Sequence, residues 1–483
     1  MSTTPQYFGT DGVRGPYGGP VVNEAFFARL ACAAGEWVKG KTDGKRLPGC
    51  MAPLSGVVAG KRVLIGCDPR HSGRRLLQAV IAGLRIAELE PVYLGVLPTP
   101  AVAQAMKMEG VPLGVVITAS HNPAGDNGIK FFKRDGRKLS EEEEGQIEAL
   151  LPDEPGREKA LAKAWEEEIK ANQGKPWILG GDETSIQYVE ALSGRLPGNC
   201  LRGWHVVLDT ANGATFWTSL RVLEKFGASI FKIGNEPFGA NINAGCGSEH
   251  PEKMCAAVRE HGARLGIAHD GDGDRCVLCD EGGEVLDGDE ILTLLALHAL
   301  REGRLAADTL VVTVQSNLGV DAAVAAAGGR VVRTPVGDRH VAEKMRELGA
   351  TLGGESSGHI ICADVSPTGD GLVAALRVIG VMLATGKPLS ELRRALKKFP
   401  MASTTVEVAT GAPKPSIDTL PALTAAICAI ETELGARGRV LARWSGTEPK
   451  LRLLVEGPDE AVVRAGLARL AAAARVDLED SGV

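Results

Sequence analysis

The chain alternates short runs of aliphatic and β-branched residues with longer stretches whose apolar residues recur at helical spacing. This alternation is typical of parallel α/β domains. Strands are predicted at residues 62–67, 114–118, 205–208, 264–268, 309–314 and 330–334. Helices are predicted at residues 24–38, 73–86, 251–260, 289–301 and 339–348. Polar clusters follow several of these strands, and ligands of open α/β sheets bind beyond the carboxyl ends of strands. We therefore expect the chemistry of the protein at those clusters.

The last part of the chain has a different pattern. Strands are predicted at 404–408, 439–442 and 451–456 around one long helix at 419–434, which indicates a smaller α+β domain beginning near residue 389. A length of 483 residues favours three to four domains. Residues 40–60, rich in Gly, Pro and Lys, are interpreted as a loop insertion. Ser140 and Glu143 have the spacing of a capping box, so we expect residues 140–144 to form a water-facing helix N-terminus.

Composition excludes several classes of protein. The net charge is −6, and no basic block of the kind that binds nucleic acid is present. The most apolar stretch, residues 372–384, contains Arg377 and is shorter than the roughly 20 residues of a membrane span. No signal peptide is visible, and the ten cysteines are scattered. Cys276 and Cys279 are three apart in a predicted strand, so they should face opposite sides. We expect a cytoplasmic multidomain enzyme with no membrane or nucleic-acid partner.

The first candidate site is the string from Gly114 to Lys130. A buried strand leads into a loop rich in Asn, Gly and Pro that contains Ser120 and His121. A serine in this position can carry a phosphoryl group if a metal or cations offset the charge. The alternative is a purely structural turn. Arg70 and His71, which follow an earlier strand, either line the same cleft or lie in a surface loop.

The second candidate site is Asp270-Gly-Asp-Gly-Asp-Arg275, directly after a predicted strand. Asp270, Asp272 and Asp274 alternate with glycines and can turn towards one hard cation such as Mg²⁺, which prefers oxygen ligands. A calcium loop of the EF-hand type would also use these positions together with Glu281. That alternative is disfavoured because Arg275 occupies the position where the EF-hand needs glycine. A solvated acidic turn without metal is the other alternative.

The third candidate site is Gly353–His359, which contains Glu355, Ser357 and His359. An acceptor, a hydroxyl and an imidazole on one glycine-rich loop suit sugar hydroxyls or an amino group, although a plain turn is the simpler interpretation. Asp338 and Arg339 open a predicted helix nearby and can contribute to the same pocket. Asp338 could equally be a helix N-cap.

The fourth candidate site lies between two strands of the last domain. Hydroxyls, backbone amides and two guanidinium groups are combined there, as in sites for phosphate monoesters. A structural turn is the alternative. The residues of this site are Arg443, Ser445, Gly446, Thr447 and Arg452. An N-terminal string, Phe8–Gly15, adds Arg14, which could reach a phosphate, or is only a tight turn.

Together these strings resemble the α-D-phosphohexomutase superfamily in order and spacing over essentially the whole chain. Within it the sequence is most similar to the bacterial phosphoglucosamine mutases. Further strings support this, at residues 8–15, 286–289, 315–319, 336–339 and 367–371. His340, Ser356 and the 40–60 insertion depart from the family pattern.

The resemblance implies three α/β domains and a C-terminal α+β domain around a central cleft. The domains are expected at residues 1–155, 156–265, 266–388 and 389–483. The implied reaction interconverts glucosamine 6-phosphate and glucosamine 1-phosphate through a 1,6-bisphosphate, for the biosynthesis of UDP-N-acetylglucosamine. A phosphomannomutase or phosphoglucomutase is the first alternative, and a non-catalytic phosphosugar-binding or metal-binding protein is the second. A homodimer is compatible with the sequence.

The resemblance also implies roles for single residues. Ser120 would be the phosphorylated donor, and a phosphate oxygen would complete an Mg²⁺ shell made by Asp270, Asp272 and Asp274. Lys130 would be a general acid or base, and His121 would orient the phosphoserine. Arg14 and Arg275 would offset the negative charge. The sugar would contact Glu355, Ser357, His359, Asp338 and Arg339, and its second phosphate would contact Arg443, Ser445, Gly446, Thr447 and Arg452.

Overall fold

A computed structural model describes residues 5–41, 59–151, 155–171, 183–409, 414–445 and 450–480. Most of the expected 40–60 insertion, residues 42–58, lies outside the described residues. Four β-sheets follow one another along the chain, and each is covered by helices from its own part of the sequence.

The first unit contains a five-stranded sheet of order β1-β5-β4-β2-β3. Only β2, β3 and β4 are parallel, and β5 runs antiparallel to both β4 and β1. The strands are β1 (Val13–Pro16), β2 (Arg62–Cys67), β3 (Glu90–Val96), β4 (Leu113–Ile117) and β5 (Asp126–Lys133). The helices are α1 (Glu24–Lys41), α2 (Gly73–Ile86), α3 (Thr99–Glu109), α4 (Glu141–Glu148) and α5 (Pro155–Ala171).

The second unit repeats this plan with a sheet of order β10-β9-β8-β6-β7. The helices are α6 (Glu183–Ser193), α7 (Thr218–Lys225) and α8 (Glu252–His261). The strands are β6 (His205–Asp209), β7 (Ser229–Ile233), β8 (Leu265–His269), β9 (Cys276–Asp280) and β10 (Val285–Leu286). The boundary expected between residues 265 and 266 would divide this sheet, because β9 returns antiparallel to β8. The acidic string after residue 269 is therefore the turn between two neighbouring strands.

The third unit has a four-stranded sheet of order β12-β11-β13-β14. Its strands are β11 (Thr309–Thr313), β12 (Arg330–Thr334), β13 (Leu352–Gly354) and β14 (Ile360–Cys362). Its helices are α9 (Gly288–Arg301), α10 (Leu318–Ala326), α11 (Asp338–Leu348), α12 (Gly371–Thr385) and α13 (Leu389–Leu392). Just after α13, Arg393 donates to Asp280, Glu290 and the carbonyl of Val285. These bonds attach the segment after residue 388 to the second and third units.

The fourth unit is an antiparallel sheet of order β15-β17-β16 with two long helices. It comprises β15 (Met401–Glu407), α14 (Pro421–Leu434), β16 (Arg439–Trp444), β17 (Lys450–Glu456) and α15 (Glu460–Asp480). The prediction of three α/β units followed by an α+β unit is confirmed. The predicted strands and helices are all present with ends shifted by up to three residues. The sequence analysis assigned no strand to β1, β3, β5, β7, β10, β13 or β14.

The first three units share one apolar core. A continuous cluster of buried side chains runs from Met106 in the first unit through Leu265 in the second to Leu352 in the third. The fourth unit has a core of its own around Leu423, Leu453 and Leu470. The units that hold the first three candidate sites are thus packed as one body, and the fourth is built separately.

Two smaller expectations are also tested by the packing. Cys276 belongs to the large shared core, and Cys279 to a separate core cluster beneath α8, so the two thiols do face opposite sides of β9. Among the described residues no single helix is long and apolar enough to cross a membrane. Two consecutive helical segments, Gly371–Thr385 and Leu389–Ala395, reach that length and apolar composition only when they are counted together, and the chain bends by 94° between them.

A buried ion pair joins the first unit to the third. The capping box of Ser140 and Glu143 opens α4 as predicted. The expectation that the whole acidic run faces water is wrong at Glu144, which is 3% exposed. Its two carboxylate oxygens accept from Arg339 Nη1 and Nη2 at 2.8 and 2.7 Å. This bidentate pair anchors the start of α11 against α4.

We expect Glu144→Gln to lower the free energy of unfolding by about 3–5 kcal/mol, because it leaves Arg339 buried without a counter-charge. The double variant Glu144→Leu/Arg339→Met should recover most of that loss, since neither side chain is then charged. Urea unfolding followed by circular dichroism measures both. Glu141→Gln, on the exposed side of α4, is the matched control and should change stability by less than about 0.5 kcal/mol. A loss no larger than the control's would contradict the assigned role of the pair.

Candidate active site

Ser120 lies in a tight loop between β4 and β5. Its backbone has φ 51°, a left-handed conformation that is uncommon for a residue other than glycine, and its side chain is buried. The amide of Ser120 donates to Thr118 Oγ1 at 2.8 Å, and Thr118 Oγ1 donates to Asp68 at 2.7 Å. The loop therefore holds the serine in one strained orientation.

Arg70 and Asn243 fix the same loop from two sides. The buried guanidinium of Arg70 donates to the carbonyls of Ser120 at 3.0 Å and Asn122 at 2.8 Å, and it pairs with Asp68 at 2.9 Å. From the second unit, Asn243 Nδ2 donates to the same two carbonyls at 2.8 and 2.9 Å. Arg70 is thus a support for the loop rather than a surface residue. Asn243 is absent from the predicted site.

The three predicted metal-binding aspartates converge beside Ser120. Asp270, Asp272 and Asp274 are each at most 1% exposed, and one carboxylate oxygen from each lies within 4.8 Å of the others. Ser120 Oγ donates to Asp270 Oδ2 at 2.5 Å. Gly271 is needed because a Cβ there would lie 2.6 Å from the carbonyl oxygen of Ser120. Strands rather than helices flank this turn, so the EF-hand alternative does not fit.

The charges of this cluster suit a divalent cation. Burial, together with Asp274 and Asp272, raises the pKa of Asp270 to about 8. Against the effect of burial, Lys130 holds the pKa of Asp272 and Asp274 below the usual value. Asp272 Oδ1 and Asp274 Oδ1 are buried without a hydrogen-bond partner. Unpartnered buried carboxylate oxygens are costly unless a cation binds them, so the residues fit a hard metal ion.

Lys130 reaches the cluster from β5. It is 1% exposed, and its Nζ lies 2.8 Å from Asp272 Oδ2, 3.2 Å from Asp274 Oδ2 and 3.1 Å from Asp11 Oδ2. Although burial lowers the pKa of Lys130, Asp272 and Asp274 raise it above the usual value. The ammonium form is therefore favoured. Asp11, which also contacts Lys138 and Arg14, is another residue that the sequence analysis missed.

His359 connects the metal cluster to the predicted sugar-binding residues. Its Nδ1 lies 3.6 Å from Asp274 Oδ1, and its Nε2 lies 3.3 Å from Asp338 Oδ2. Against burial, Asp338 and Asp274 raise the pKa of His359. Asp338 is not a helix N-cap, because Gly337 holds that position, and its carboxylate lies 2.6 Å from Lys138 Nζ instead. Basic and acidic side chains thus alternate in a series of contacts, in the order Asp11, Lys138, Asp338, His359 and Asp274.

The other predicted sugar-loop residues are placed less uniformly. Glu355 Oε1 accepts from the amide of Gly337 at 2.9 Å, and Ser357 is exposed. Arg339 turns to Glu144, so its guanidinium is already engaged in the bidentate pair. The carbonyl of Gly358 accepts from the amide of Cys276 at 3.0 Å, which holds the sugar loop against the metal loop.

Basic groups also lie near Ser120. His121 Nδ1 lies 3.5 Å from Ser120 Oγ. Burial and the nearby cations Arg275 and Arg14 lower the pKa of His121 to about 3. Arg275 lies 3.5 Å from Glu249, and Arg14 pairs with Asp11. A neutral imidazole with two guanidinium groups near it suits an anion at the serine oxygen.

Two arginines of the fourth unit face each other across neighbouring strands. Arg443 on β16 and Arg452 on β17 are direct register partners, an arrangement that is unfavourable for like charges unless an anion lies between them. Burial and Arg452 lower the pKa of Arg443, while Glu355 of the sugar loop opposes this. Ser445 is buried, and its carbonyl accepts from Lys414 at 2.7 Å. Gly446 and Thr447 lie outside the described residues.

Family models match all four units in order. They are the phosphoglucomutase/phosphomannomutase alpha/beta/alpha domains I, II and III, at residues 5–157, 187–283 and 287–399, and the C-terminal domain at 404–473. A phosphoglucosamine mutase from Syntrophotalea carbinolica is 42% identical over 96% of this chain and 95% of its own length. The chain belongs to the phosphoglucosamine mutase branch of this family. The resemblance inferred from the sequence strings is confirmed.

Further relatives agree with this assignment. A phosphoglucosamine mutase from Anaeromyxobacter dehalogenans is 46% identical over 84% of this chain and 88% of its own length. A phosphoglucomutase/phosphomannomutase family protein from Burkholderia thailandensis has the same fold, with TM-score 0.72, 23% identity and coverage of 100% and 98% of the two chains. An N-acetylphosphoglucosamine mutase from Aspergillus fumigatus, solved with GlcNAc-6P and magnesium, gives TM-score 0.64 at 19% identity, covering 98% and 96%. The chain is thus a phosphohexomutase, an isomerase.

For this phosphohexomutase the aspartate cluster predicts a metal-dependent stability. Free Mg²⁺ at a hundred times its dissociation constant should stabilise the chelator-treated protein by about 2.7 kcal/mol, because it binds only the folded state. Asp270→Asn should abolish most of this gain. Without metal it should not be less stable than the parent, since the amide of asparagine carries no charge that Asp272 and Asp274 could repel. Differential scanning calorimetry with EDTA and with Mg²⁺ measures both effects.

Asp418→Asn, at an exposed position of the fourth unit, is the control and should keep the full response to Mg²⁺. Equal unfolding temperatures of the parent protein in EDTA and in Mg²⁺ would show that the cluster does not bind the ion.

Proposed function

We propose that this phosphohexomutase interconverts glucosamine 6-phosphate and glucosamine 1-phosphate, with Ser120 carrying the phosphoryl group that is transferred. The observation that carries the proposal is the setting of the Ser120 hydroxyl. Ser120 Oγ lies 2.5 Å from Asp270 Oδ2 and 3.5 Å from His121 Nδ1, and the charges of Arg14 and Arg275 act on that histidine. A hydroxyl between a metal-binding cluster and a basic pocket is placed to hold a phosphate. Its buried, strained loop fixes the direction in which that phosphate would point.

The proposed reaction has two half-reactions. In the first, a hydroxyl of the sugar monophosphate attacks the phosphorus of phosphoserine, the bond from phosphorus to Ser120 Oγ breaks, and a 1,6-bisphosphate forms. The attacking hydroxyl loses its proton, and Ser120 Oγ gains one. In the second, Ser120 Oγ attacks the other phosphate of the turned intermediate, and the sugar oxygen takes the proton. The enzyme ends in its phosphorylated form.

Charge neutralisation is the main task of the protein in phosphoryl transfer. Asp270, Asp272 and Asp274 would hold Mg²⁺, which when bound offsets the charge of the phosphoryl oxygens. Arg14 and Arg275 supply further positive charge near the same cluster. Lys130 is the proposed proton donor, because it is buried, protonated and held by three carboxylates at the edge of the cluster. Its ammonium would give a proton to Ser120 Oγ in the first half-reaction, and the amine so formed would take that proton back in the second.

The intermediate must turn over without leaving the protein. Arg443 and Arg452 are proposed to hold the phosphate that is not reacting, with Ser445 and the adjoining Gly446 and Thr447. The fourth unit has its own core, so it can move against the other three without disturbing their packing. Its polar attachment to the third unit includes Arg439, which donates to the carbonyls of Val314 and Ser316.

The amino group of the substrate is proposed to contact Glu355. One oxygen of this carboxylate is fixed by the amide of Gly337, and the side chain remains partly exposed on the sugar loop. A carboxylate beside the sugar favours an ammonium over a neutral hydroxyl through a charge-assisted hydrogen bond. His359, Ser357 and Asp338 are proposed to contact the hydroxyls. Arg339 would act by holding α11 in place rather than by touching the sugar.

The phosphoserine predicts a change in mass and activity. Ser120→Ala should lack the mass of one phosphoryl group in intact-protein mass spectrometry, and its turnover should fall to background because no acceptor oxygen remains. Ser403→Ala, an exposed serine of the fourth unit, is the control and should keep both properties. Turnover by Ser120→Ala at the parental rate would refute the mechanism.

The sugar preference predicts a ratio of kcat/KM values. We expect glucosamine 6-phosphate to exceed glucose 6-phosphate and mannose 6-phosphate by at least about tenfold, since a hydrogen bond to a charged group contributes about 1.5–3 kcal/mol. Glu355→Gln should lose most of this ratio while keeping activity on the neutral sugars. A preference for a neutral sugar in the parent enzyme would identify a phosphomannomutase or phosphoglucomutase instead.

Two expectations about the whole molecule stay predictions. A homodimer would give a light-scattering mass twice the 50.6 kDa of the chain. A cytoplasmic location is expected from the sequence, together with a role in UDP-N-acetylglucosamine biosynthesis.

A further inference from the structure

A second cavity lies outside the candidate active site. It is a groove of about 530 Å³ between α9 and α12 of the third unit, closed at one end by Arg195 and Leu196 after α6. Its volume is within the range of small-molecule sites, about 300–1,000 Å³. None of the residues assigned above to the metal, sugar or phosphate lines it. The mechanism therefore gives this groove no role.

The groove has an apolar floor and a basic rim. Buried aliphatic side chains form the floor, among them Leu295, Leu352, Leu376 and Val381. The charged residues that line the groove are Arg195, Arg304, Arg377 and Asp364, and His298 adds an imidazole.

Among the described residues that line the groove, Asp364 is the one carboxylate beside three arginines. Asp364 pairs with Arg377. Arg304 Nη2 lies 3.5 Å from His298 Nε2, so the imidazole offers a lone pair rather than a second negative charge. The rim carries a net positive charge above an apolar floor. A complementary ligand has an apolar body and an anionic group.

The floor is in contact with the hairpin that carries the sugar loop. Leu352 and Cys362 both line the groove, and they are register partners at the open end of the β13–β14 pair. Each of these strands has only three residues, and the loop between them holds Glu355 and His359. β13 also pairs with β11, whereas β14 lies at the edge of the sheet, so packing against Leu352 and Cys362 contributes to holding this short pair together.

We propose that this groove binds a small organic anion with an apolar body, and that its occupancy stabilises the β13–β14 hairpin and so regulates the sugar loop. The binding step is independent of the reaction, whereas the regulatory step rests on the proposed function. Nucleotides and aliphatic carboxylates share this chemistry, and the experiment below distinguishes them.

The binding step is tested with 8-anilinonaphthalene-1-sulfonate, an aromatic sulfonate that fluoresces in apolar sites. We expect saturable binding of one equivalent by the parent protein and its loss in Gly380→Phe. A Cβ at Gly380 meets only Leu196 Cδ2, at 3.4 Å, so the new ring can fill the groove with the helix intact. Ala322→Phe, on an exposed position of α10, adds the same ring elsewhere and should bind like the parent. Equal binding by Gly380→Phe would overturn the site.

The charge of the ligand is tested with two arginines of the rim. Arg195→Gln/Arg304→Gln should weaken binding of the sulfonate by about tenfold or more, because both remove positive charge from the rim. Arg301→Gln, on an exposed part of α9 outside the groove, should leave it unchanged. Binding that is equally tight in the double variant would overturn an anionic ligand.

Competition and amide exchange complete the test. Displacement of the sulfonate by adenosine 5′-monophosphate would identify a nucleotide site, and displacement by octanoate a site for aliphatic carboxylates. Displacement by neither would overturn the proposed class. The bound anion should slow hydrogen exchange at residues 352–362 and change KM for the sugar phosphate. Unchanged exchange and KM would overturn the regulatory step, and failure of mutase turnover alone would leave the binding result intact.

Discussion

The repulsion among three buried carboxylates is the constraint on which the rest of the site depends. Asp270, Asp272 and Asp274 lie together in a turn where water cannot screen them, and Lys130 is the ammonium that touches two of them directly. That lysine reaches them only because β5 folds back antiparallel along β4. A bound cation would offset more of the charge. The side chains that face this turn therefore include Lys130 and His359, which carry or can carry a positive charge.

The same constraint explains why three units share a single core. The turn belongs to the second unit, Ser120 and Lys130 to the first, and His359 to the third. Charges interact strongly over a few ångströms in a buried site and weakly beyond, so small relative movements of these units would upset the balance. One apolar cluster through all three units opposes such movement. The fourth unit carries no residue of the carboxylate cluster, and none of its residues belongs to the apolar cluster that the other three units share.

Site residues that directly follow a predicted strand could be predicted from the sequence, because the ends of neighbouring strands lie side by side and bring such side chains together. It could not place Asp11, Lys138 or Asn243, whose importance arises from contacts across 100 or more residues. The missed strand β5 begins with Asp126, Asn127 and Gly128, residues typical of turns. The sequence left Arg70 open between the cleft and a surface loop, although Asp68-Pro-Arg70 follows β2 as the acidic string follows β8, which favours the cleft. The burial of Glu144 was hidden by three exposed or half-exposed neighbours of the same charge.

Neighbouring side chains of like charge, which destabilise a fold when no counter-charge is present, lie where we propose that this protein binds its ligands. Arg443 opposite Arg452 on neighbouring strands, and Arg14 near Arg275, both violate the rule that like charges avoid each other. The chain as a whole is acidic, with net charge −6, so these basic pairs do not follow from composition. An anion would offset the positive charge of each arginine pair, whereas a cation would offset the negative charge of the aspartate cluster. A phosphorylated serine beside a metal ion, with a second phosphate at the arginine pair, would relieve all three at once, which neither a metal-binding protein nor a simple phosphate-binding protein would do.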